Sequence, residues 1–227
     1  MKGAIIVFEG TDASGKATQT KLFFEKLQFL GIEAELFSFP RYDSFFGSLA
    51  GKHLSGEFGP IKSLAPEFCA LLYSLDRYQI KKEIEEKVSA GKILVMNRYV
   101  QSNIAHQTAK FSLASEQKKF LFWVESLESR MPRADAVVFL NMPTEVAQKL
   151  MAGQDRKEDY RKGSEKDLHE ADAAYLERTR KVYASLAKKN RWIAIDCAVK
   201  KHGSFFVRPQ EDIHSEIWKK LKKKLKL

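Results

Sequence analysis

The chain reads as an α/β protein, a three-layer α/β/α sandwich around a five-stranded parallel sheet, in one domain over residues 1–227. Three observations predict this. Short apolar runs alternate with longer amphipathic segments, the pattern of right-handed βαβ crossovers. The runs are almost continuously apolar, as strands covered on both faces should be. The 227 residues, 44% of them hydrophobic, suffice for a buried core without disulfide or metal staples. This composition excludes a disordered or collagen-like chain.

The elements follow in order. A strand is expected at 3–9, then a helix at 15–30 that Gly31 ends. A strand at 33–39 leads to a helix at 44–56. Pro66 opens a long helix that runs to 90, and Gly91 closes it. A strand at 92–96 precedes a helical stretch over 101–130. The fourth strand spans 135–140, and helices follow at 143–153 and 165–189. The fifth strand, 191–195, leads to a basic helix at 210–226. In a sheet of this kind ligands sit outside the carboxyl ends of the strands, so chemistry belongs just after Phe8, Phe39, Met96 and Leu140.

The first of these places carries the most specific signal. Gly10-Thr11-Asp12-Ala13-Ser14-Gly15-Lys16 has the spacing of a phosphate loop, and it lies between an apolar strand and an amphipathic helix. Glycines let the backbone curl so that its N–H groups converge, the helix dipole adds positive potential, and Lys16 reaches the β and γ phosphates of a nucleotide. The pattern calls for Ser or Thr next, to ligate Mg²⁺, but Ala17 stands there. Thr18 follows about 100° around the helix. Asp12 is the substitute metal anchor inside the loop.

Other strand ends carry cations and rings. Phe39-Pro40-Arg41-Tyr42 follows the second strand, and Asn97-Arg98-Tyr99 ends the third. Tyr73 and Arg77 are spaced i and i+4 on one helix, a stacking surface beside a fork of donors. Ser102 and His106 share another face, with Asn103 and Gln107 beside them to read a base edge.

Together these pieces resemble the thymidylate kinase family of phosphate-loop nucleoside monophosphate kinases. The resemblance rests on Phe8 through Gln19, on Phe39-Pro40-Arg41-Tyr42, on Ala70 through Arg77, and on Asn97 through Asn103. It implies the phosphate-loop kinase fold with a lid, and phosphorylation of dTMP to dTDP with ATP as co-substrate and Mg²⁺ as cofactor. The ATP site would comprise Gly10, Thr11, Asp12, Ala13, Ser14, Gly15, Lys16, Ala17 and Thr18. The dTMP site would comprise Asp12, Phe39, Pro40, Tyr42, Tyr73, Arg77, Arg98, Ser102, Asn103 and His106. Tyr73 stands where relatives carry Phe, and Asn97 where relatives often carry Asp.

Residues 149–166 form a polar, basic, Gly-bearing stretch suited to a flap that closes over phosphates. The phosphate loop has no arginine, so Arg156 and Arg161 are the lid candidates for the ATP phosphates. The catalytic set expected from the resemblance is Lys16, Asp12, Arg98 and Arg156, and the family forms homodimers. Two rivals remain: a kinase for another nucleotide or deoxynucleoside, and a weakened nucleotide-binding protein suggested by Ala17 and Asn97.

The formal charge of +10 invites a nucleic-acid partner. Its placement argues otherwise. Six lysines and no acid lie in Ile217–Leu227, beside a leucine stripe at Leu221, Leu225 and Leu227 that suits a solvated helix end or a weak anionic-surface contact. No nucleic acid and no stable membrane association are expected. Cys69 and Cys197 lack metal or redox spacing, and Met1-Lys2-Gly3 leads into the first strand without a secretory leader pattern. The expected location is cytoplasmic.

Overall fold

A computed structural model describes residues 2–60, 63–152 and 172–225. Five parallel strands form the main sheet: β1 (Ala4–Glu9), β2 (Ala34–Ser38), β3 (Ile93–Asn97), β4 (Ala136–Asn141) and β5 (Ile193–Asp196). Their spatial order is β2-β3-β1-β4-β5. β1 is central and pairs with β3 on one side and β4 on the other, Val7 lying opposite both Met96 and Val137. The chain moves outward from β1 to β2 and then crosses to the other half between β3 and β4. That reversal opens a crevice beyond the carboxyl end of β1, where the phosphate loop begins.

All six residues of β1 are buried. Its side chains alternate: Ile6 and Phe8 join a cluster with Phe23 and Leu27 of α1 (Lys16–Phe29) and with Ile217 and Leu221 of the last helix. Ile5 and Val7 face the other layer, with Leu94, Met96 and Ile84. Each such fully buried side chain contributes about 1.5–3 kcal/mol. The expectation of strands buried on both faces fails for β2, whose burial alternates and whose Leu36 is exposed. Among the described residues β2 is an edge strand, paired with β3 alone.

Two expected helices are each divided in two. The 66–90 stretch is α3 (Pro66–Tyr78) and α4 (Lys81–Ser89), following α2 (Phe45–Leu54). No Gly or Pro marks the break. The side chain of Gln79 instead folds back onto Asp76 Oδ1 at 2.9 Å and Ser44 Oγ at 2.8 Å. The 101–130 stretch is α5 (Val100–Thr108) and α6 (Ala114–Glu128). Here Arg178 Nε, from 69 residues away, donates to the carbonyl of Ala109 at 3.0 Å and so caps the end of α5. Both breaks carry a hydrogen bond to a residue far away in the sequence, Ser44 at the first and Arg178 at the second, which local periodicity does not register.

α7 (Thr144–Ala152) takes in the first residues of the 149–166 segment expected to be the lid, and α8 (Ala173–Lys189) follows that segment. Asp172 caps α8, its Oδ1 accepting from Tyr175 N at 3.0 Å. Arg156 and Arg161 lie outside the described residues. β6 (Ala198–Lys201) and β7 (Ser204–Val207) form an antiparallel hairpin absent from the sequence reading. His202 and Gly203, both at positive φ, make its two-residue turn.

α9 (Gln210–Leu225) completes the fold. It buries Ile213, Ile217 and Leu221 against the sheet and packs Trp218 at a tilt against Phe23, with ring centroids 5.6 Å apart. Leu221 of the apolar stripe therefore lies in the core with Leu225 packed against it, while Lys219, Lys220, Lys222, Lys223 and Lys224 are exposed. Among the described residues no helix is long and apolar enough to cross a membrane. Cys69 and Cys197 are free and buried, and burial pushes the Cys197 thiol up to about 12.

Candidate active site

The phosphate loop is built by three residues at positive φ, Gly10, Ala13 and Gly15. Gly10 approaches its surroundings so closely that a Cβ would meet the Leu140 carbonyl and Ser14 Oγ at 2.7 Å. No side chain caps α1, which leaves its first N–H groups to an anion. Ala17 and Thr18 are exposed in that first turn. Lys16 is 7% exposed and lies across the loop, donating to Thr11 O at 2.6 Å and to Ser14 Oγ at 3.5 Å. Its Nζ is 3.9 Å from Asp12 Oδ1.

Across the crevice, Arg98 follows β3 at φ +66, a strained position for a non-glycine residue. Its N–H donates to Phe8 O at 3.1 Å, which ties β3 to β1 at the mouth of the loop. The guanidinium pairs with Asp12 and donates to Ser102 Oγ at 3.3 Å. It also lies 3.3 Å from His106 Nε2. Because arginine only donates, Nε2 accepts, and the proton of the imidazole sits on Nδ1, 3.2 Å from Tyr175 Oη. The tyrosine hydroxyl donates in turn to His106 O at 3.1 Å. Asp12, Arg98, Ser102 and His106 thus form one polar group beside Lys16.

Under Arg98 lies Glu9, fully buried. Burial pushes its carboxyl up, while hydrogen bonds from Ser102, Tyr99 and Tyr183 and the charge of Arg98 pull it back.

The Phe39–Tyr42 segment forms the next wall. Phe39 is buried against Tyr99, with ring centroids 5.9 Å apart. Asp76 of α3 anchors the turn, its Oδ2 accepting from Arg41 N at 2.9 Å and its Oδ1 from Ser44 Oγ at 3.1 Å. Gly47 permits the close return of α2, since a Cβ there would sit 1.8 Å from the Arg41 carbonyl. Pro40 and Tyr42 are half-buried on the same segment. Arg41, outside the expected site, has a buried Nη1 without a hydrogen-bond partner.

The base-reading set divides. Tyr73 is half-buried, its ring edge-on to His53 at 6.1 Å. Burial holds the His53 imidazole down to about 4, hence neutral at physiological pH. Arg77 and Asn103 do not present free donors to a base. Arg77 is buried in an ion pair with Glu128, whose Oε1 also accepts from Ser74 Oγ and Asn103 Nδ2 at 2.8 Å each. The spacing of Tyr73 and Arg77 placed them on one flank. Their fates differ because Glu128 of α6 lies against α3 and draws the guanidinium inward. Asn103 keeps only its Oδ1 unpartnered.

For a metal, no group of three or more His, Cys, Asp or Glu side chains converges among the described residues. Asp12 is engaged by Arg98. Asn97 Oδ1 is buried without a partner at the end of β3. Two hard oxygens at most suit an ion that keeps water and phosphate ligands, as Mg²⁺ does.

Sequence reasoning missed Glu9, Asp76, Glu128, Tyr175 and Tyr183 as shapers of this site. Glu9 and Asp76 lay inside quoted motifs, so adjacency was a usable signal. The other three come from helices that carried no spacing pattern.

A phosphate loop at the switch point of a doubly wound sheet, facing a second cationic wall, defines a nucleotide kinase of the phosphate-loop class. A sequence model described as thymidylate kinase matches residues 8–203. The thymidylate kinase of Plasmodium falciparum is 30% identical over 225 residues, covering 98% of this chain and 91% of that protein. The human thymidylate kinase is 33% identical over 158 residues, covering 69% of this chain and 70% of its own. Thymidylate kinase from Candida albicans superposes with a TM-score of 0.73 at 20% identity, covering 98% of this chain and 92% of that one. The chain belongs to the thymidylate kinase family.

Proposed function

We propose that this chain transfers the γ-phosphoryl group of ATP to dTMP, giving dTDP. The observation that carries the reading is the placement of Lys16 and Arg98, from two different strand ends, on either side of Asp12. Two phosphorylated substrates meeting head to head need such a pair of cations. The acceptor oxygen belongs to a phosphate, so no strong general base is required. Lys16 and the loop N–H groups hold the donor phosphates. Arg98, released from Asp12, takes the acceptor phosphate. Asp12 is then free to meet the sugar 3′-hydroxyl, and Tyr73 offers its face to the base. Arg156 or Arg161 supplies further positive charge. The chain contributes alignment, charge neutralisation and exclusion of water. Mg²⁺ would supply additional neutralisation of the phosphates, and Asn97 Oδ1 and Asp12 are the oxygens that would hold it.

The test is ADP release across dTMP, dUMP, dCMP, dGMP and thymidine. The expected order places dTMP first, with dUMP lower by about 10–200-fold, since one methyl in a pocket is worth about 1–3 kcal/mol. Faster turnover of thymidine than of any monophosphate would overturn the reading.

The proposal includes a homodimer. Phe68, Leu71 and Leu75 form an exposed apolar stripe on α3, and Phe122 of α6 is 75% exposed. Such a patch on a helical face is suited to a second copy. Light scattering should give about twice the 26.0 kDa chain mass, and Leu71→Glu should halve it. A wild-type mass near one chain would contradict the dimer. The active site lies inside the cell on this reading, where both substrates occur.

A further inference from the structure

Glu9 touches neither face of the crevice, yet it organises everything around Arg98. Its Oε1 accepts from the backbone N–H of Tyr99 at 2.9 Å and of Ser102 at 3.1 Å. These are the residue after Arg98 and a residue of the first turn of α5, so the carboxylate caps the helix that starts beside the arginine. Its Oε2 accepts from Ser102 Oγ at 2.6 Å and from Tyr183 Oη at 2.9 Å. Four polar contacts converge on two oxygens, and a carboxylate accepts all four. With its proton committed to Glu9, the Ser102 hydroxyl offers a lone pair to Arg98 Nη1. Arg98 itself sits at a positive φ that L residues adopt reluctantly. Something must hold it there, and the pinned N–H groups of Tyr99 and Ser102 do so from one side while Phe8 O does so from the other.

We infer that Glu9 is a positioning residue: a buried anion that fixes the backbone and the guanidinium of Arg98 for the acceptor phosphate, and that extends this control through Tyr183 to α8. The inference rests on the assignment of Arg98 to the acceptor phosphate. Its distinguishing consequence is selectivity for the phosphate. A residue that only supports the fold would weaken every ligand. A residue that acts through Arg98 weakens only acceptors that carry a phosphate.

The experiment measures affinity for dTMP, thymidine and ATP in the full chain by calorimetry, for wild type, Glu9→Gln, Arg98→Ala and the double variant. Glu9→Gln keeps the shape and removes the charge. The amide can donate to Ser102 Oγ and Tyr183 Oη, so the cage closes but Ser102 no longer commits its proton. The expected result is a roughly tenfold loss of dTMP affinity, with thymidine and ATP unchanged, and no further loss when Arg98 is already alanine. Equal losses for dTMP and thymidine, or an effect that adds to that of Arg98→Ala, would overturn the inference. Tyr183→Phe removes one donor with little volume change and covers the case in which Glu9→Gln fails to fold. It should lower dTMP affinity by a smaller factor and leave thymidine alone, and unchanged dTMP affinity in it would again overturn the inference. Should Arg98→Ala itself bind dTMP normally, it is the assignment of Arg98 that fails, a result distinct from the others.

Discussion

Lys16→Ala should remove phosphoryl transfer, lowering kcat by at least about 10²–10³-fold, the scale on which one preorganised charge-stabilising donor acts. The fold should survive. Its hydrogen bonds to Thr11 O and Ser14 Oγ lie within the loop itself, and among the described residues it joins no apolar cluster. Lys16 also opens α1, where alanine is the best helix former. The variant should therefore melt close to the wild type while ADP release in a coupled assay falls to background. The opposite result, near-normal turnover with an intact fold, would leave the phosphate loop without a catalytic role and sink the assignment. The wild-type geometry explains the size of the effect. The ammonium group is mostly withdrawn from solvent, so its charge acts through little screening water.

Arg98→Ala should act on the other substrate. The guanidinium is aimed by Asp12, Ser102 and His106 rather than by bulk solvent, and its side chain is only 20% exposed. Loss of a hydrogen bond to a charged group costs about 1.5–3 kcal/mol, or about 10–150-fold in kcat/KM for dTMP. The loss should divide between a raised KM for dTMP and a lowered kcat, because the acceptor phosphate is both bound and aligned by this side chain. The KM for ATP should stay within about twofold of its wild-type value, since the donor phosphates belong to the phosphate loop. Steady-state kinetics with each substrate varied in turn makes the division visible. A parallel rise in both KM values would place Arg98 outside the acceptor site. Some loss of stability accompanies the change, because Asp12 loses its ion pair with Arg98 and alanine inherits a positive φ. Asp12 is 21% exposed, so water relieves part of that cost.

Much of the architecture was legible. β1, β3 and β4 announced themselves as continuous apolar runs, because strands inside a sheet covered on both faces bury every side chain. The phosphate loop was equally legible, since its function rests on local backbone geometry that particular residues at particular spacings must create. Elements decided by distant partners were not. The break between α5 and α6 depends on Arg178, and the break between α3 and α4 on a turn anchored to Ser44. The β6–β7 hairpin did carry a signal, a Gly-containing two-residue turn between two short strands, which a search for long apolar runs passes over.

The site divides along the same line. Lys16 and Asp12 were placed by the spacing of the phosphate loop, and Arg98 by its position just past a buried strand. Tyr73 and Arg77 looked equivalent by spacing, yet one is half-buried beside His53 and the other is paired inside the protein with Glu128, 51 residues away. The sequence alone determined the parallel sheet, the phosphate loop and the strand ends where chemistry belongs, for these follow from local periodicity and turn geometry. Only the tertiary structure decided which cations face the crevice and which are neutralised within it. That choice depends on carboxylates such as Glu128 and Glu9, brought in by packing from other parts of the chain, where burial makes an unpaired charge too costly to leave alone.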